Sequence, residues 1–413
     1  MAAPYRKIGI VREGKQPADR RVPLTPAQCR EVSIRYPQLD LAVQRSPIRA
    51  FTDAEYAAEG VALVDDLSDR ELIIGVKEVP LDMLLSGKSY LIFSHTIKEQ
   101  PHNRKLMRAI VEKGITLIDH ELLTDVHGDR VLAFGYWAGV VGAYNGIRAW
   151  QMAHGGPALK PAHACHDLEE LERHLHAFPL PKDLRIVMTG GGRVGKGAMG
   201  VLERAGVERV KPAEFLFLPR DFGKPVYTVL GTHDLYERID GRPFDKAAFH
   251  TDPSGHRARF LPYARRAQLY MACHYWDPRG PKILSAEDLR DPQLGLSVIA
   301  DISCDVGGPI DSTLRATTIA EPFLGYDRAT GEEVKPGAPG SITVMAVDNL
   351  PCELPRDASE AFGLDLIERV LPHLIGRDEE GMIDRATIVR EGRLTERFAH
   401  LAAYAGLADS SVA

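Results

Sequence analysis

The sequence predicts an α/β fold built from two doubly wound parallel-sheet domains, and three observations lead there. At 413 residues the chain is too long for one ordinary core, so two units of roughly 200 residues each are the natural partition. Short apolar runs typical of parallel strands buried on both faces alternate with segments of helical spacing: Glu71 to Val76 (ELIIGV), Ser89 to Phe93 (SYLIF) and Gly114 to Ile118 (GITLI). The third is the stretch Arg185 to Gly200, RIVMTGGGRVGKGAMG, which reads as a buried strand, a glycine turn and the start of a helix that Gly206 stops. Glycines at these offsets let the backbone turn tightly and approach a pyrophosphate at the positive end of the helix.

Taken in order, Lys7 to Val11 is a first strand, followed by a helix with Thr25 as N-cap and Pro26 at its first position. Leu41 to Val43 is a second strand, and a helix starts after Thr52. Asn103 to Lys113 carries apolar residues at helical spacing, and Gly114 closes it. Val131 to about Ala153 is a mostly helical segment whose small residues allow close packing, which suits a connector between two lobes. Gly155 to Pro181 is looser and proline-rich, then helical from Asp167 with Glu170 in the capping-box position. After the glycine turn the later strands are Gln268 to Ala272, Leu296 to Ile302 and Ser341 to Val347. The polar, arginine-rich stretch from Phe215 to Arg266 reads as an insertion. The tail from Ser359 returns to helix, with Leu364, Leu366, Ile367, Val370 and Leu371 on one face.

Composition narrows the function. A net charge of −6 and 26% charged residues give no reason to expect nucleic acid or an anionic membrane surface as partner. The N-terminus has no apolar signal-like region, and no stretch approaches the ~20 apolar residues of a membrane span. Five scattered cysteines without CxxC spacing suit thiols in a reducing, cytoplasmic setting. His163, Cys165 and His166, with His174 and His176 nearby, match no standard zinc spacing, so no metal is expected.

In open parallel sheets ligands bind beyond the carboxyl ends of strands. In the first half those ends deliver Lys77, then Ser94 and His95, then Asp119, His120 and Glu121. A lysine, a histidine and a glutamate thus converge on one sheet edge, and a dinucleotide on the glycine motif would face them across an active-site cleft. That arrangement suits hydride transfer coupled to proton transfer. Residue by residue, a bland alternative stands: Lys77 can be a solvated loop charge, His95 a histidine bonded to backbone, and Arg21 and Arg130 surface cations. The functional reading of the arginines is bidentate gripping of substrate carboxylates.

These residues lie in motifs that resemble the lysine-forming saccharopine dehydrogenases and the lysine-ketoglutarate reductase half of bifunctional lysine-degrading enzymes, within the alanine dehydrogenase and transhydrogenase superfamily. The motifs are DRRVPLTP near Arg21, IIGVKEVP around Lys77, FSHTIKEQ around His95, RVLAFGYWAGVVG from Arg130, DISCDVGG from Asp301, TTIAEPF from Thr317 and AVDNLPCELPRDAS from Ala346. The resemblance implies two Rossmann-like domains, residues 1–135 with 350–413 on the substrate side and 136–349 holding the dinucleotide. It implies acid and base roles for Lys77 and His95, tuned by Glu121. Substrate contacts would come from Arg21, Gln100, Arg130, Phe134, Ser303, Cys304 and Asp305. Dinucleotide contacts would come from Gly190, Gly192, Arg193, Val194, Gly195, Tyr275, Val347, Asp348, Asn349 and Leu350. Two departures stand out: Asp129 replaces an arginine of some members, and Val194 replaces a cysteine that can bridge to the position of Cys273, so no such disulfide is expected.

The implied reaction interconverts saccharopine with L-lysine and 2-oxoglutarate, so small-molecule substrates are the expected partners, with neither nucleic acid nor membrane among them. An alanine dehydrogenase or other opine-type enzyme is the alternative within the class. A non-catalytic dinucleotide-binding regulator is the alternative outside it, against which the Lys77 and His95 pair argues. The ribose-reading acid expected about 20 residues after the glycines falls near Glu214. Lys211 and Pro212 occupy the expected strand end, a lysine there favours a 2′-phosphate, and the long insert after Phe215 resembles the reductase halves of bifunctional enzymes more than the compact NAD-using forms, so the sequence leans slightly to NADP(H) over NAD(H).

Overall fold

The computed structural model describes residues 5–156, 159–219 and 222–407, so part of the proline-rich segment after Gly155 lies outside it. The chain divides into two compact units, Met1–Phe134 with Pro355–Ala413, and Gly135–Leu354.

The first unit holds an eight-stranded sheet. Its parallel strands are β1 (Lys7–Ile10), β2 (Asp40–Gln44), β3 (Ala62–Val64), β4 (Leu72–Ile74), β5 (Ser89–Ile92) and β6 (Thr116–Asp119). The C-terminal segment adds β17 (Thr387–Arg390) and β18 (Arg393–Leu394) antiparallel at the edge, giving the order β18-β17-β6-β5-β4-β1-β2-β3. Alternate side chains feed two cores: Leu72, Ile74, Leu91 and Ile118 pack on one face, Ile73, Tyr90, Ile92 and Leu117 on the other. Burial on both faces is why these strands read as unbroken apolar runs.

The expected caps form. Helix α1 (Pro26–Arg35) starts from Thr25, whose hydroxyl accepts the Gln28 N–H while Gln28 returns to the Thr25 N–H at 3.0 Å. Helix α2 (Asp53–Ala58) repeats the box with Thr52 and Glu55. Helix α3 (Arg104–Glu112) ends before Gly114, which sits at φ 63°. The tail differs from its sequence reading. The helix Pro355–Asp365 buries Ala358, Ser359, Phe362 and Gly363, which leaves Leu364 on its solvent side; it then runs into a π-helical stretch, Leu366–Val370, where Leu366, Ile367, Val370 and Leu371 stay buried.

The second unit is also an eight-stranded, mostly parallel sheet. In chain order its strands are β7 (Arg185–Thr189), β8 (Glu208–Arg209), β9 (Val226–Leu230), β12 (Leu269–Ala272), β13 (Val298–Asp301), β14 (Phe323–Asp327), β15 (Glu333–Val334) and β16 (Ser341–Met345). They are arranged β15-β14-β16-β13-β12-β7-β9-β8, with β14 and β15 antiparallel. A separate hairpin pairs β10 (Tyr236–Arg238) with β11 (His256–Ala258). The stretch from Phe215 to Arg266 is therefore only partly an insertion, because it contains β9, a strand paired along its whole length with β7.

Helix α4 (Gly135–His154) begins four residues later than the sequence reading placed it. It crosses helix α6 (Arg193–Arg204) at backbone contact: a Cβ on Gly139 would lie 1.9 Å from the Val194 carbonyl oxygen, and one on Gly197 would lie 2.0 Å from that of Tyr136. Helix α5 (Leu168–His176) is capped by Asp167, but Glu170 reaches past it to the His166 N–H at 2.7 Å. Helix α7 (Pro212–Phe217) and the short α8 (Thr232–Leu235) follow β8 and β9. No helix among the described residues is long and apolar enough to cross a membrane.

Candidate active site

In the first unit the adjacent strands β1, β4, β5 and β6 end at one edge, and their exits are tied together by side chains. Three residues past β1, the Glu13 carboxyl accepts the Val76 N–H at 2.6 Å and the Lys77 N–H at 3.0 Å, fixing the backbone that carries Lys77. Burial, with the charge of Asp19 next, pushes Glu13 up to about 8. Lys77 is lowered from the usual lysine range, first by burial and then by the cations Arg21 and Lys15. Beside it, Glu78 holds His95 Nδ1 at 2.5 Å and accepts from Lys15 Nζ at 2.9 Å. Burial would raise Glu78, but those bonds, His95 foremost, hold it at about 2. His95 leaves β5 in the left-handed region, φ 53°, with its ring stacked toward Phe93 at 6.2 Å.

Behind this pair, Asp119 accepts the Ser94 N–H at 3.0 Å and the Ser94 hydroxyl. His120 donates from Nε2 to the Gly75 carbonyl at 2.9 Å, and burial drops it to about 3, so it is a neutral structural group. Arg21 is buried at 1% exposure, donating to Asp19 from Nε at 3.0 Å and Nη2 at 2.6 Å, with its guanidinium 4.2 Å over the Phe134 ring. Arg130 lies 5.1 Å over Phe93 and donates from Nε to Leu132 O at 2.8 Å. Glu121 Oε1 gathers Lys98 Nζ at 3.1 Å and Arg130 Nη1 at 3.6 Å. Gln100 is exposed, and its carbonyl accepts the Tyr404 hydroxyl at 2.6 Å.

In the second unit the glycine turn follows β7. Gly190 takes φ 89°, and a Cβ there would meet the Cys273 carbonyl oxygen at 2.5 Å. A Cβ on Gly195 would lie 2.1 Å from the Gly190 oxygen, so helix α6 must start at close range. Gly191 and Gly192 instead face open space within 4 Å, and the N-terminus of α6 has no side-chain cap. A bare helix start beneath an open glycine backbone fits a pyrophosphate, with Gly190, Gly192, Arg193, Val194 and Gly195 as the residues that would hold it. Arg193 is exposed and Val194 half-buried.

The neighbouring exits complete this edge. Tyr275 is 88% exposed after β12, next to His274, whose Nδ1 meets the Thr189 hydroxyl at 2.6 Å. At the end of β13, Asp301 accepts from the Ser303 hydroxyl at 2.6 Å and the Cys304 N–H at 3.1 Å, holding Cys304 at φ 53°. Burial, then Asp301, raises Asp305. Cys304 Sγ donates to the Ala346 carbonyl at 3.0 Å, which joins this turn to Val347–Leu350, where Val347 and Leu350 are buried and Asp348 is exposed. All five cysteines are free thiols. No group of three or more potential metal ligands occurs among the described residues.

Sequence reasoning missed Glu13, Asp19, Lys15 and Glu78. The strand-exit rule could have found Glu13 and Glu78, since they follow β1 and β4 as Lys77 and His95 follow β4 and β5. Asp19 and Lys15 carry no such signal.

Comparisons with known proteins bear on the family and the fold. The family model described as the alanine dehydrogenase/PNT N-terminal domain matches residues 9–141. The chain is 31% identical over 443 residues to the mitochondrial alpha-aminoadipic semialdehyde synthase of Mus musculus, covering 95% of this chain and 47% of that one. It thus spans about half the length of that relative. It is 30% identical to the saccharopine dehydrogenase [NAD(+), L-lysine-forming] of Emericella nidulans, covering 89% of this chain and 91% of that one. Among solved structures, an L-alanine dehydrogenase superposes with a TM-score of 0.63 at 20% identity, covering 94% of this chain and 96% of that one, a likeness of fold. The near full-length match to the fungal enzyme bears out the resemblance carried by the motifs: the chain belongs to the lysine-forming saccharopine dehydrogenase family.

Proposed function

We propose that this protein interconverts saccharopine with L-lysine and 2-oxoglutarate, using residues 1–135 with 350–413 to handle substrate and 136–349 to hold a nicotinamide dinucleotide. The observation that carries the reading is the proton-handling set at adjacent strand exits: a lysine held below its ordinary range beside a histidine oriented by a carboxylate. A sensor of dinucleotide would need the glycine turn and not this set. Free thiols suit work in the cytoplasm.

When bound, the nicotinamide accepts or returns the hydride. In the oxidative direction, Lys77 in its neutral form takes the proton of the secondary amine, which burial favours by disfavouring the charged ammonium. With Nδ1–H donated to Glu78, His95 presents Nε2 to the water that adds to the imine and to the leaving lysine nitrogen. Glu78, held as a carboxylate, stabilises the imidazolium that forms. Saccharopine carries three carboxylates, and Arg130 and Arg21 are the proposed partners of two. Arg21 is already gripped by Asp19, so it would act as the centre of a fixed charge pair.

The test is spectrophotometric oxidation of NADH and of NADPH with lysine and 2-oxoglutarate together, each alone, and with pyruvate and ammonia. Consumption only with the first pair is expected; consumption with pyruvate and ammonia instead identifies an alanine dehydrogenase-like enzyme. Lys77→Met combined with His95→Gln should lower turnover about 10²–10⁴-fold while leaving nucleotide affinity unchanged.

A further inference from the structure

The helix Pro355–Asp365 reads PRDASEAFGLD, in which Phe362 is the only aromatic residue. It is fixed against α1 and the chain leading into it. The Ser359 hydroxyl accepts the Val22 N–H, one residue past Arg21, at 2.9 Å, and Gln28 donates from Nε2 to the Glu360 carbonyl at 2.7 Å. A Cβ on Gly363 would lie 2.0 Å from Gln28 Oε1, so the two helices meet there at the closest range a glycine allows. This docking drives Phe362, 2% exposed, into the core among the rings that follow β5 and β6.

Three rings meet it there. Phe134 is stacked on it, centroids 4.7 Å apart and planes within 6°. His120 stands edge-on at 5.2 Å, and Phe93 is tilted at 6.3 Å. Two of those rings carry the arginines, since the Arg21 guanidinium lies 4.2 Å over Phe134 and that of Arg130 lies 5.1 Å over Phe93. Asp19 grips Arg21 by two bonds in the guanidinium plane, which fix its rotation within that plane. Its tilt is set by the ring beneath, and a ring fixes a tilt only as firmly as its own neighbours fix it. Phe362 touches both supporting rings.

We infer that Phe362 is a positioning residue: through Phe134 and Phe93 it holds the guanidinium planes of Arg21 and Arg130 at the angles that two substrate carboxylates require. The inference rests on the proposed role of those arginines. A planar fork pairs with a carboxylate only when the two planes agree, so tilting the guanidinium weakens the pair. That loss is felt equally in the ground state and the transition state, and it therefore falls on KM. Proton transfer is spared, because Glu78 holds His95 at 2.5 Å and Glu13 holds the Lys77 N–H at 3.0 Å, neither through Phe362.

The test is steady-state oxidation of saccharopine by the full chain at saturating nucleotide. Phe362→Leu should raise KM roughly five- to tenfold, with kcat within about twofold and the pH profile of kcat unchanged. Phe398→Leu is the control, a buried phenylalanine of the same C-terminal segment in the core on the other face of the sheet. It should lower the melting temperature as Phe362→Leu does and leave KM within about twofold. In a Phe134→Leu background, Phe362→Leu should add less than about twofold, because the two act through one stack. If Phe362→Leu does not fold, Phe362→Met, nearer in volume and equally without a ring, carries the same expectation. An unchanged KM, a fall in kcat in place of the rise in KM, full additivity with Phe134→Leu, or an equal rise in Phe398→Leu overturns the inference; so does failure of both Phe362 variants to fold, which assigns the residue to structure alone. If the unaltered protein does not turn over saccharopine, the substrate reading falls and the inference with it.

Discussion

Replacing Gly195 by alanine tests whether the close start of α6 is what makes the glycine turn. The new Cβ would lie 2.1 Å from the Gly190 oxygen and 3.0 Å from its carbonyl carbon, and both obstacles are backbone. Since Cβ contacts essentially never fall below 3.0 Å, the helix start or the turn must move by about 0.9 Å. Overpacking of this kind costs roughly 1–3 kcal/mol, which lowers the melting temperature by roughly 2–12 °C for a unit of this size. The shift falls on the N–H groups that would face a pyrophosphate, so the dissociation constant for NADH should rise at least about tenfold. Gly200→Ala in the same helix is the control: its Cβ would meet only the flexible end of Arg204 at 3.4 Å. That change should stabilise by up to about 1 kcal/mol through helix propensity and leave binding alone. The assay is a thermal melt beside a fluorescence titration for both variants. If Gly195→Ala melts and binds like the unaltered protein, the close-packing argument fails.

Two other perturbations bear on the first unit. Glu78→Gln leaves His95 without its anionic partner, and because hydrogen bonds to charged groups contribute about 1.5–3 kcal/mol, turnover should fall roughly 10- to 100-fold with little change in nucleotide affinity; unchanged turnover would remove Glu78 from the proton-handling set. Glu13 ionises near 4.5 when unfolded and at about 8 when folded, so between those values the folded state holds the extra proton and stability falls as pH rises. Melting temperatures from pH 5 to 8 should therefore decline less steeply in Glu13→Gln than in the unaltered protein, and parallel slopes would contradict the burial argument.

The features legible in the sequence were those set by neighbours along the chain. Thr25 and Thr52 announce their helices because a capping box is a four-residue device. The β7 to α6 turn is visible because glycine spacing is local too. The order of strands is not, because it is decided by pairing across long separations: β9 hid in a polar, arginine-rich stretch although Val226, Tyr227, Thr228 and Leu230 are all buried. β17 was concealed in a tail whose apolar residues fit a helix as well as a strand, and Leu364 faces solvent because its helix buries the face of Ala358, Ser359, Phe362 and Gly363. At the site, Lys77 and His95 were found by a rule about strand ends, but their carboxylate partners depend on side-chain reach.

His95 and Cys304 share a left-handed backbone, φ 53° in each, although neither is glycine. Such a conformation typically costs about 1 kcal/mol or more at a residue with a side chain. A sequence optimised only for folding would place glycine at both positions, so each is where stabilising redesign and activity should conflict. Any effort to harden this protein for heat or storage should leave residues 95 and 304 alone and seek its gains elsewhere, for example at helix positions such as Gly200.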